Sequence, residues 1–475
     1  MSTRRRSIWS LFFFLLLTLS AATASAQDFD ADPNYDGNLS QNGNTRLQKA
    51  LGASIQGICG EFIANIPNGG PTRDDGSAEG DLFGRCGDMV STANDLPGNS
   101  GPTPFSLGLT SDELNSLTQD IAHDDKSGVG PAPLADGAGQ MVVNNVSERL
   151  SSLRAGATGI NVEGLALEQG GMRHPAIYSN PLSEDSAAGD GEAPRWGLFA
   201  NGDFSFGDYG SGADQAGFDF HSEGVTAGAD YRILDDASIG LAMGYAKESV
   251  HYDRNGSNST DDQLNVSMYG TYYPDESWYI DGIIGYTHHW LDTNRDIRFP
   301  DDQRTAKGDT DADELLIAAG GGYSITLAEG FDFGPYARLE YKKLWIQSFE
   351  EKGAFGLNLS YEDDDFFSII SNLGLIGTYA TSTNFGVITG SVYMDWEHEY
   401  ANDQRNVGAR YSADPNENTG WSVRTDAPDR DAANLGLSLT AVLQGGFSIF
   451  ADYETLLFYD RIDRHEITAG VRIEL

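Results

Sequence analysis

Residues His465–Leu475 read HEITAGVRIEL, and from Ile467 onward they alternate without a break. Ile467, Ala469, Val471, Ile473 and Leu475 fall on one side, and Thr468, Gly470, Arg472 and Glu474 on the other. A period of two is that of a β-strand with one face in an apolar medium. Terminal backbone usually frays unless something ties it down. A strand carried to the final residue is expected where the last strand must pair with the first, as in a closed barrel that leaves no free edge.

The same period governs everything after Arg195. Val225, Ala227, Ala229, Tyr231 and Ile233 alternate with Thr226, Gly228, Asp230 and Arg232, and twelve such segments can be counted, beginning near Trp196, Gly224, Ser238, Asp262, Trp278, Glu314, Phe331, Phe367, Phe385, Asn434, Gly446 and Arg464. An even number suits a bacterial outer-membrane barrel. The polar face carries mid-strand charges, Arg338, Glu340 and Lys342, opposite Pro335, Ala337, Leu339 and Tyr341. A dry sandwich core could not solvate them, whereas a wet lumen can, so these three and Asp452 are expected to line a lumen, pairing there or giving a pore its selectivity. Trp278, Tyr286, Trp290, Tyr323, Tyr379 and Trp396 suit interfacial girdles. Tight connections such as Asp235–Asp236 alternate with acidic loops expected to be long, near Asn255, Asp301, Gly353 and Ala401. The fold expected is an all-β transmembrane barrel of twelve antiparallel strands over residues 195–475.

Upstream the period lengthens. Leu47, Leu51, Ile55, Ile58 and Phe62 form one helical stripe, and Leu82, Cys86, Met89 and Ala93 a second. Thr110 and Glu113 predict a capping box ahead of Leu114, Leu117 and Ile121. A fourth helix is expected over Val142, Val146, Leu150 and Leu153, ending at Gly156. Residues 27–182 thus read as a small, mainly helical N-terminal region, and 183–194 as a linker. Residues 1–26 read as a signal peptide: three arginines, an apolar run too short to span a bilayer, then ATASA before the cut. In the oxidising compartment beyond, Cys59 and Cys86 are expected to form a disulfide across the helical seam. The net charge of -41 repels nucleic acid.

No catalytic pattern emerges. His123 and His174 stand without a G-x-S-x-G elbow or an H-E-x-x-H pair. Asp32, Asn34, Asp36 and Gly37 open like a calcium loop, but Gly43 stands where its bidentate Glu belongs. His398 and Glu399 fall on opposite faces of a strand. No enzyme activity, cofactor or metal is expected.

GPYARLEY (Gly334–Tyr341), WEHEY (Trp396–Tyr400), FADYET (Phe450–Thr455) and the closing RHEITAGVRIEL together resemble the β-domain of autotransporters. LFGRCGDM and LSSLRAGATG are similar to segments that accompany such barrels. The resemblance implies an outer-membrane barrel of a Gram-negative bacterium that anchors, and displays or translocates, its N-terminal region at the cell surface or in the periplasm. Partners would be outer-membrane lipid, the outer-membrane barrel assembly machinery and periplasmic chaperones. The alternatives are a surface hydrolase of esterase type carried by the barrel, or a narrow channel. Ile467, Ala469, Val471, Ile473 and Leu475 would be the assembly signal, with Leu475 where the family usually carries Phe. Family members commonly thread a helix through the pore before the first strand; here NVEGLALEQGGMRHPAIYSNP (Asn161–Pro181) holds Gly and Pro and makes a poor long helix.

Overall fold

The structure is a computed structural model and describes residues 38–73, 75–121, 144–151, 153, 195–211, 217–253, 256–274, 277–401, 406–415, 419–424, 429–443 and 447–474. The signal peptide, Asp32, Asn34, Asp36 and Gly37 of the calcium-like loop, His123, His174, Val142, Gly156, Asn161–Pro181, the linker and Leu475 lie outside them.

Twelve antiparallel strands close into a barrel. They are β1 Trp196–Tyr209, β2 Phe218–Leu234, β3 Ala237–Tyr252, β4 Asn258–Tyr272, β5 Trp278–Phe299, β6 Asp302–Tyr323, β7 Phe331–Ile346, β8 Asp364–Ser382, β9 Gly386–Glu399, β10 Asp431–Leu443, β11 Phe447–Leu457 and β12 Ile462–Glu474. Closure is made by β12 against β1, from Gly197↔Glu474 to Tyr209↔Ile462, while its other edge pairs with β11. Every strand edge is therefore used, the condition for a sheet to lie in hydrocarbon.

Alternation sorts the side chains as the sequence requires. Val225, Leu241, Met243, Leu339, Leu373 and Leu439 are more than half exposed on the outer face, and the six girdle aromatics are exposed there too. Serines, threonines, asparagines and charged groups point inward and are buried. Short turns, such as Leu234 to Ala237 and Ser382 to Gly386, gather at one end, and the longer connections at the other.

Two of the connections expected to be long are not. Only five residues separate Tyr252 from Asn258, and Phe299 pairs with Asp302 at the tip of a hairpin whose strands are 22 residues each. The acids there are not loop solvation: Asp301 and Asp302 bind Arg85 of the helical region at 2.9 and 3.0 Å.

That region comprises α1 Asn38–Asn42, α2 Arg46–Asn65, α3 Ala78–Asp95 and α4 Ser111–Asp120. Thr45 with Gln48, and Thr110 with Glu113, form capping boxes that start α2 and α4. Hydrogen bonds from the Thr110 backbone and hydroxyl hold the Glu113 carboxyl below its usual range. Leu51, Ile58, Phe62, Leu82, Met89 and Leu114 form the core, and Cys59 is bonded to Cys86 across α2 and α3. Arg73 pairs with the buried Asp88, whose carboxyl is nevertheless raised by desolvation.

The disulfide spans 27 positions, for which the chain-entropy estimate is about 3–4 kcal/mol. A Cys59→Ser/Cys86→Ser variant should lose about that much stability in the helical region, seen as earlier cleavage of residues 38–121 in denaturant-graded proteolysis, while the barrel's heat-modifiable migration stays unchanged.

Candidate functional site: an occupied lumen under a helical cap

The fourth helix expected from the sequence forms, as α5 (residues 144–151), but it does not join the other helices. It lies inside the barrel. Val146, Leu150 and Leu153, at helical spacing, are buried against an inner-wall patch of Phe199, Ala242, Tyr269, Ile283, Leu316 and Ala318. Gly228 permits this close fit, because a Cβ there would stand 2.3 Å from the Phe199 ring.

The remaining faces of α5 are polar, and the wall answers them residue by residue. Asn144 donates to both Glu466 oxygens at 3.0–3.1 Å. Asn145 donates to Asp203 and Thr226 and accepts from Asn201. Arg149, with no exposed surface, donates through Nε and Nη2 to both oxygens of Asp230 at 2.6 and 2.8 Å, and Tyr269 donates to the same carboxylate. Arg472 meets Glu148 at 2.9 Å with its guanidinium over the Phe450 ring. Arg338 donates to Ser147. Strands β1, β2, β7 and β12 thus all bond one helix. Asn145 sits beside Thr226 and Arg149 beside Asp230, four positions nearer the short-turn end of β2. α5 therefore points toward the end of the barrel where β1 begins.

Of the sequence-derived lumen set, Arg338 of β7 donates to Ser147 of α5; Glu340 and Lys342 alternate inward on the same strand and are buried, with Glu340 3.7 Å from Arg338. Asp452 follows the same inward alternation on β11. Ile467, Ala469, Val471 and Ile473 are exposed on the outer face of β12. His398 and Glu399 part company: His398 binds Asp431 at 2.8 Å, and Glu399 accepts from Ser368 and the Ile369 amide. Among the described residues, no three His, Cys, Asp or Glu side chains form a metal site.

The long-connection end is closed differently. The connections after β7 and β9 fold into a small sheet of Phe349–Glu350, Leu359–Tyr361, Asn406–Tyr411 and Trp421–Arg424. Its Leu359, Tyr361, Tyr411 and Trp421, with Leu291, Ile297 and Phe299 from the β5 extension, share one apolar core with α2, α3 and α4. Arg304 bonds Asp81 of α3 at 2.9 Å. Arg295 is buried, forked onto Glu351, and donates to the Ile121 carbonyl just past α4 at 3.1 Å and to Leu357 at 2.8 Å. The mouth therefore carries a helical cap fixed by apolar packing and by charge-assisted hydrogen bonds.

The twelve-stranded barrel holds a helix of its own chain, and the model of the autotransporter β-domain matches residues 198–454. The chain belongs to that family. The translocator domain of the autotransporter NalP from Neisseria meningitidis superposes with a TM-score of 0.50 at 14% identity, over 73% of this chain and all of that one. Among relatives, Esterase EstA of Pseudomonas aeruginosa is 24% identical over 266 residues, 54% of this chain and 40% of that protein. Lipase 1 of Photorhabdus luminescens is 22% identical over 239 residues, 49% of this chain and 35% of that protein. The match to the esterase covers only the barrel, and this autotransporter spans well under half the length of these relatives.

The barrel domain is a translocator and an outer-membrane protein. Its most demanding contact is Arg149–Asp230. Removing one member of a buried pair strands the other charge, at about 3–5 kcal/mol. Arg149→Leu should loosen α5 and raise single-channel conductance in planar bilayers, and Arg149→Leu/Asp230→Leu should bring it back toward the low native level.

Proposed function

We propose that this autotransporter anchors and displays residues 38–121 as a cap on the outward mouth of its own barrel, with α5 remaining in the pore. The observation that carries this is the single apolar core shared by the helices and the long connections, latched by Arg295 on the Ile121 carbonyl. Long connections of outer-membrane barrels face outward, which supports a cap on the cell surface. The cap's contacts are those of a folded, retained module. Filling of the lumen by α5 argues against a narrow channel.

The role is taken to be non-enzymatic: anchoring and display need only the barrel, the plug and the cap. Arg338, Glu340, Lys342 and Asp452 serve as the wet inner wall that receives α5. The outward row Ile467, Ala469, Val471 and Ile473, with Leu475, acts as the assembly signal read by the barrel assembly machinery, delivered by periplasmic chaperones; outer-membrane lipid is the other partner.

The turn at Gly98–Ser100, exposed at the end of α3, gives a direct test. An epitope inserted there should be stained on intact cells, whereas staining only after permeabilisation would place the cap in the periplasm and overturn the reading. For the signal, Val471→Lys meets lipid at a cost of about 2–4 kcal/mol near the midplane. Leu475→Asp should lower outer-membrane yield at least as far as Val471→Lys does, because recognition acts however shallow the side chain sits. Unchanged yield with Leu475→Asp alongside loss with Val471→Lys would reduce the end of β12 to an ordinary strand.

A further inference from the structure

The outer face of β6 to β10 carries a depression of about 720 Å³. Its floor is one cross-strand row: Gly321 pairs with Ala337, Ala337 with Leu373, Leu373 with Trp396 and Trp396 with Ala433. Four strand spacings of about 4.8 Å make it roughly 19 Å long, and small residues hollow it at one end. Strands of such barrels tilt by about 35–45°, so the row runs obliquely across the lipid band.

The end at Trp396 reaches a distinct level of the barrel. Following the pairing from His221 leads through Ser249 and Thr260 to Asp292, four residues nearer the long connections than His288. From His288 it leads to Asp365, six residues from Ser371, the partner of His398, in the same sense. His465 and His221 both pair with Phe206. Steps in one sense are what tilted strands require of residues at one height, so these four outward histidines form a belt. Aromatic rings accompany it: Trp290 lies 4.7 Å from His288, Tyr400 lies 4.7 Å from His398, and Phe206 lies 5.3 Å from His465. Amphipathic rings gather at headgroup level.

Where the depression meets the belt, Asp431 accepts from the Trp396 indole at 2.9 Å and sits 2.8 Å from Nδ1 of His398. The exposed Arg430, next to Asp431 in the chain, acts by its charge on the same carboxylate, so an imidazole and a guanidinium flank one carboxylate at this end. An apolar trough ending at headgroup level beside an imidazole and a guanidinium fits one kind of molecule. We propose that this face is a binding site for one phosphate-headed, net-anionic lipid of the surrounding leaflet, its acyl chain along Gly321–Trp396 and its phosphate at His398 and Arg430.

The full-length barrel, equilibrated in micelles with equal phosphatidylglycerol and phosphatidylcholine and released for native mass spectrometry, tests this. The native protein should retain one lipid, phosphatidylglycerol over phosphatidylcholine by about tenfold. Ala337→Phe, on the lipid face where an apolar ring is tolerated, should lose both lipids while migration before and after boiling shows an intact barrel. His398→Gln/Arg430→Gln should keep retention and lose the headgroup preference. Equal retention of the two lipids by the native protein, or full retention by Ala337→Phe, would overturn the proposal.

Discussion

In a bilayer core there is no water to satisfy a peptide group, so every N–H and C=O must find its partner within the sheet. The pairing of β12 with β1 is where that requirement is met or lost, because it alone joins the first strand of the sheet to the last. Its register fixes the side chains as well. With Arg472 opposite Phe199 and Thr468 opposite Asp203, the polar members of β12 face the same lumen as those of β1, and Ile467, Val471 and Ile473 face lipid. A slip by one residue would exchange the two sets.

Closure creates a second problem, an interior lined with charges. A lumen of this width could be left to water, but here a helix of the same chain fills part of it, and the wall residues that would otherwise be hydrated are spent on α5. Asp203, Asp230 and Glu466, three carboxylates from three strands, all turn to that helix. Buried charge is tolerated because it is paired and hydrogen-bonded, and that pairing gives orientation more than net stability. At the mouth the same logic recurs with Arg295, where one guanidinium ties β5, a connection strand and the end of α4. Plug and cap are thus built from the polar groups that a closed sheet exposes at its inside and its rim.

Much of this was legible beforehand. Period-two alternation located all twelve strands, since each side chain answers to lipid or to the lumen and nothing else; the helical stripes, the Thr110 capping box and the Cys59–Cys86 pair were equally local signals. The location of α5 was not legible. Its apolar stripe, Val146, Leu150 and Leu153, reads like any amphipathic helix, and only the far side, Asn144 and Glu148, Asn145 and Arg149 at four-residue spacing, carries more polar demand than solvent exposure needs. The partners that satisfy it lie 56 to 324 positions away. The long acidic loop expected at Asp301 failed for a similar reason: acids that bind arginines of a docked helix look the same in sequence as acids that face water.

α5 lies in the lumen, side by side with β1. Asn145 and Asn201 are both short side chains in direct contact, at 3.1 Å. With cysteine at both positions, a short bifunctional thiol reagent applied to outer-membrane fractions should join them within one chain, giving a species that migrates faster after boiling than the unlinked protein. Absence of the cross-link, with both thiols freely labelled by a bulky water-soluble maleimide, would show an empty pore and contradict the account.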